Sequence, residues 1–136
     1  VDLARPRAGY QLTSLNHLGD FQKQAIGGTL RAAEEAGIDT LAGIFHADHR
    51  ELVAHQKAWP FEIVNYMDLI GESIGIPRED VFKRLKLMQD VDAIIAASAD
   101  TIAANGLDLE AARDAVLSFM IDDQYLPIER ALHPAA

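Results

Sequence analysis

The chain has no cysteine. It therefore holds no disulfide framework, no thiolate metal site and no thiol nucleophile, a composition compatible with the cytoplasm. No apolar run approaches the ~20 residues of a membrane-spanning helix, and the opening residues Val1 to Arg7 lack the apolar centre of a secretory signal. A soluble chain without a membrane partner is the expectation. Positive charge is scarce as well: 12 Lys and Arg stand against 21 Asp and Glu, a net charge of −9. That balance disfavours nucleic acid and anionic surfaces as partners unless bases cluster locally. Only 5 Pro and 9 Gly interrupt a chain that is 49% hydrophobic, so a single globular core is within reach of its length.

What is present is helical periodicity. Residues 1–11, with Pro6, Gly9 and two arginines, show no period and read as an N-terminal arm to a domain spanning residues 12–136. From Thr13, the residues Leu15, Leu18, Phe21, Ala25, Ile26, Thr29, Ala33 and Ala36 recur at 3.6-residue spacing, and Gly37 supplies a stop. Gly27 and Gly28 suggest a kink or a close backbone contact within that helix. Asp39 is placed to cap a second helix with the stripe Leu41, Ile44, Phe45, Leu52 and Trp59, ended or kinked by Pro60. A third runs from Phe61 to Ile74, with Ile63, Tyr66, Met67, Ile70 and Ile74 inward and Gly75 after it. Pro77 suits the first turn of a fourth, whose stripe is Val81, Leu85, Met88, Ile95, Ala99 and Ile102, closed by Asn105 and Gly106. Asp108 caps a fifth with Leu109, Ala112, Val116, Phe119 and Met120, interrupted by Pro127. An α/β reading is open only near Leu41 to Phe45. The expected fold is all-α: a single-domain bundle of about five amphipathic helices.

Polar residues break the apolar faces at a few places. On a wheel of 100° per residue, Asp48 and His55 fall within the stripe of helix two, Asp92 lies between Met88 and Ile95, and Asp123 extends the face of Val116 and Met120. All four are expected to be buried polar groups, held by internal hydrogen bonds or collected at a site. The histidines do not converge: His46 points away from the stripe, His49 flanks it, and His17 lies on the polar side of helix one.

Two segments carry a resemblance. Asp48-His49-Arg50-Glu51-Leu52, then Glu62-Ile63-Val64-Asn65, then Gly75-Ile76-Pro77-Arg78-Glu79-Asp80-Val81-Phe82 resemble the all-α (MazG-like) nucleoside triphosphate pyrophosphohydrolases over about a third of the chain. The resemblance implies Mg²⁺ held against nucleotide phosphates by Asp48, Glu51, Glu62 and Asn65, hard oxygen ligands of the kind that ion takes. Two positions depart from the family's pattern, since Asp48 is shorter than its glutamate and Asn65 stands where it has an aspartate. Met67 to Lys86 resembles a helix-turn-helix DNA reader, with Gly71, Gly75, Ile74, Ile76 and Val81 in structural positions and Arg78, Lys83 and Lys86 as the implied contacts. Arg84 stands where that pattern expects an apolar residue.

The residues alone favour a third class: a helical domain that acts by protein-partner binding or self-association as a homodimer, with no cofactor. The pyrophosphohydrolase and the DNA-binding regulator are its rivals.

Overall fold

The computed structural model describes residues 19–121. Its contacts divide them into two units, the first ending at Glu79 and the second beginning at Asp80. The expected arm and the start of helix one, with Leu15, His17 and Leu18, lie outside the described residues, as do Asp123 and Pro127.

The first unit opens with helix α1 (Gly19–Glu35). Its buried face is Gln22, Ile26, Leu30 and Ala33, spaced at four and three residues. Phe21 and Ala36, expected inward, are exposed. The face is turned by about one residue because Leu30, omitted from the sequence stripe, is its centre. The helix runs unbroken through Gly27 and Gly28, and nothing lies within 4 Å of a Cβ built on Gly28. At its end the Gly37 N–H donates to Glu34 and the Ile38 N–H to Ala33, with Gly37 at φ +60. This left-handed close satisfies carbonyls that the helix leaves open.

The chain leaves that turn extended, and here the bundle expectation is corrected. Asp39 does not cap a helix; its carbonyl accepts from the Glu62 N–H at 2.9 Å. Strand β1 (Thr40–Gly43) pairs in parallel with strand β2 (Glu62–Asn65), Thr40 opposite Glu62 and Gly43 opposite Asn65. Between them run helix α2 (His46–Leu52) and a 3₁₀ turn (Val53–Ala58), so the unit is a β-α-β crossover, the connection that parallel strands require. The helix expected over residues 61–74 is thus two elements. Phe61, Glu62 and Ile63 alternate buried, exposed, buried, a two-residue period that wins over the helical one because Leu41 and Ile63 meet side by side in the core. Pro60 holds Trp59 in the extended region that ends the 3₁₀ turn. Asn65 then caps helix α3 (Tyr66–Ser73), its Oδ1 accepting the Met67 N–H at 2.9 Å. Gly75 closes that helix as Gly37 closes α1.

The buried apolar residues of this unit are Ile26, Leu30 and Ala33 of α1 and Leu41, Leu52, Val53, Trp59, Phe61 and Ile63 of the crossover. Trp59 and Phe61 set their ring centroids 6.0 Å apart.

The second unit is built of short helices, each opened by an identifiable cap. The fourth predicted helix starts at Val81 rather than at Pro77, because Asp80 accepts the Lys83 N–H and fixes the entry of α4 (Val81–Lys86). It is not continuous to Ile102. Gln89 takes a positive φ of 53, and Asp90 accepts from Ala93 to start α5 (Val91–Ala97). Helix α6 (Ala99–Ala104) follows Ser98 and closes at Asn105 and Gly106. Asp108 caps α7 (Leu109–Val116), as read from the sequence, and Leu117–Ile121 continues as a π-helical turn. Ile94 is the fully buried apolar side chain of this unit among the described residues. The described chain is mostly helical, with seven α-helices and one two-stranded parallel sheet. No described helix is long and apolar enough to cross a membrane.

Candidate interaction surface

Parallel pairing sends both strands out at the same end. β1 passes through Ile44 and Phe45 into α2, and β2 passes directly into α3. With Gly43 opposite Asn65 in register, the residues after each strand emerge side by side, since neighbouring strands lie about 4.8 Å apart. Four large apolar side chains are exposed there: Ile44 at 62%, Phe45 at 52%, Tyr66 at 45% and Met67 at 62%. Helix α3 buries no residue at all. Large exposed apolar side chains brought near one another in this way are candidates for an association surface.

Polar groups border it. The Asn65 amide nitrogen lies 3.5 Å from His46 Nδ1. Because Asn65 Oδ1 is engaged by the α3 cap, the amide nitrogen is the atom turned to the ring. His46 and His49 have ring centroids 6.5 Å apart. His49, read from sequence as only flanking the stripe, is fully buried. Its backbone passes so near the end of β1 that a Cβ at Gly43 would lie 3.2 Å from the His49 Cβ and N. That close approach, and not the helical wheel, sets its burial.

The remaining sequence candidates disperse. Asp48 is half-buried on α2, and Glu51 is buried with an oxygen 3.7 Å from its neighbour Arg50. Glu62 is exposed at the start of β2, about 10 Å along the strand from Asn65 by strand rise alone. Among the described residues no three His, Asp or Glu are gathered to hold a metal ion. His55 is buried within the 3₁₀ turn. Asp92, expected on a buried face, is exposed at 81% and pairs with Arg113 of α7. The break before Asp90 starts a new helix there, so the face of the preceding one does not continue. The paired carboxylate, by hydrogen bond and then by charge, pushes the Arg113 guanidinium still higher above its ordinary range.

Of the implied DNA contacts, Arg78 is exposed and Lys83 half-buried. Lys86 is 3% exposed, its Nζ 5.5 Å from the centre of the Phe82 ring, and is withdrawn from any phosphate. Ile74, Ile76 and Val81, which a helix-turn-helix would bury, are exposed.

One polar residue without a sequence signal matters for the sheet. Gln56 Oε1 accepts the Ile63 N–H at 2.8 Å, so the side of β2 remote from β1 is already engaged. Nothing in the spacing of Gln56 marks it, because its role exists only once β2 forms.

Compared with known protein families, curated proteins and solved structures, the chain gives no match.

Proposed function

We propose that the chain is an association module that forms a homodimer through the first unit. The observation that carries this reading is the gathering of Ile44, Phe45, Tyr66 and Met67, exposed, beyond one end of the strand pair. Leaving such side chains in water forgoes roughly 25 cal/mol for each Å² that a partner would cover. A second copy is always at hand, and two-fold dimers are the commonest closed assembly. The net charge of −9 opposes self-association, but between Ile38 and Phe45 the only charged residue is Asp39, so the surface around β1 is where two acidic copies approach at least cost.

The test is sedimentation equilibrium across about 1 to 100 μM, a range that brackets the weak dimers small surfaces make. The expected result is a dimer at the upper concentrations, and a monomer when Phe45→Asp and Met67→Asp are combined. A monomer throughout for the unaltered chain rejects the reading.

A further inference from the structure

We infer that the seam of this dimer is the outer edge of β1, joined to the β1 of a second copy; the inference rests on the association reading above. The ladder defines which backbone groups are open. The Glu62 N–H donates to the Asp39 carbonyl, and in a parallel ladder alternate residues of each strand face the partner. Glu62 and Val64 therefore face β1, and Leu41 faces β2. The opposite members of the register, Thr40 across from Glu62 and Ala42 across from Val64, turn their N–H and C=O groups away from β2. Both residues are exposed, and among the described residues no hydrogen bond reaches those outward groups.

The two edges of the sheet are not equivalent. On β2 the Ile63 N–H is already taken by the Gln56 side chain, and Glu62 sets an exposed charge on that strand. On β1 no such device exists: Thr40, Leu41, Ala42 and Gly43 carry no charge, no proline and no bulge. Exposed edges are usually guarded by one of these. A parallel sheet of two strands is moreover an isolated fragment of the arrangement in which parallel strands ordinarily occur.

An unguarded edge is self-complementary about a two-fold axis. With the axis at the middle of β1, Thr40 of one copy stands opposite Ala42 of the other, and the strands run antiparallel. The outward groups then satisfy one another, and the sheet becomes four-stranded in the order β2, β1, β1, β2. Thr40 and Ala42 are small, so their side chains on the exposed face impose no clash. Ile44 and Phe45, directly after the strand, bring the apolar area that backbone pairing alone lacks.

Two substitutions and two readouts test this. Ala42→Pro removes an outward N–H while leaving the bonds between β1 and β2, whose donors are Leu41 and Gly43 on one strand and Glu62 and Val64 on the other. Ala42→Lys keeps the backbone and gives the edge the kind of charged guard that other exposed strands carry, one on each side of the seam and diagonal to the other. The readouts are amide hydrogen exchange at Thr40 and Ala42 in the unaltered chain, at high and low concentration, and sedimentation equilibrium of all three proteins. The expected result is slow exchange at both amides in the dimer, at least about tenfold faster exchange on dilution, and a dissociation constant raised more than about tenfold in each variant, with unchanged circular dichroism. If Ala42→Pro loses its fold, Ala42→Lys decides. A dimer that persists in Ala42→Lys, or amides that exchange equally at both concentrations, overturns the β1 seam and leaves the association reading standing. A monomeric unaltered chain overturns both.

Discussion

Trp59 and Gly43 show how much a single position carries. Trp59 is buried against Phe61 where the crossover returns to the sheet. Its truncation empties volume that neither the 3₁₀ turn nor β2 can refill, so Trp59→Ala is expected to cost about 3–5 kcal/mol in urea unfolding; a loss under ~1 kcal/mol would contradict its place in the core. Gly43 is constrained from the opposite direction. Because a Cβ there would meet backbone and Cβ atoms of His49 at 3.2 to 3.3 Å, neither of which is a flexible side-chain end, Gly43→Ala is expected to destabilise by about 1–3 kcal/mol through overpacking. An unchanged midpoint would mean that α2 shifts freely. The dispersed carboxylates give a third expectation. With Glu62 at one end of β2 and Asn65 at the other, millimolar Mg²⁺ should leave the melting temperature unaltered, whereas a collected Asp48, Glu51 and Glu62 would show a rise by mass action and its reversal by chelator. The same titration, run with nucleoside triphosphates and a pyrophosphate assay, checks the activity that the resemblance implies.

At the scale of elements, the local punctuation was legible and the pairing was not. Gly37, Gly75, Gly106 and Asp108 all act where the sequence places them, since a left-handed close or an N-cap is decided within one turn of chain. Residues 40–43 and 62–65 carry apolar residues that fit a helical period as well as a strand period, and four residues are too few to separate the two. What decides between them is the meeting of Leu41 with Ile63, a contact between segments 22 positions apart that no window contains. The continuous fourth helix failed for a related reason: Asp90 is a better cap than an interior residue, and the positive φ at Gln89 lets the chain restart. Of the candidate site, Asn65 and Asp48, singled out for a metal, are placed as a helix cap and a half-buried side chain, while the exposed apolar quartet emerged only once the strands set Ile44 near Tyr66. The far-ultraviolet spectrum is expected to be dominated by helix, and a strand-rich spectrum would contradict the seven helices described.

Across the whole molecule, the units differ in how much they bury. The first buries apolar side chains from α1 and from both strands and the connection between them, whereas the second has Ile94 alone fully buried among its described apolar residues and opens its helices mainly with Asp caps. Amides of α5 to α7 are therefore expected to exchange faster than those of α1 and β2, because local opening there exposes little additional apolar surface. Association should also respond to salt in a defined direction. Both copies are acidic, so raising ionic strength screens their repulsion and strengthens the dimer, the reverse of an assembly held by opposite charges. Sedimentation equilibrium of the unaltered chain at about 100 μM and physiological ionic strength decides whether the protein dimerises. A mass twice that of the chain, falling toward the single mass on dilution, is expected; a single mass at every concentration would contradict the homodimer.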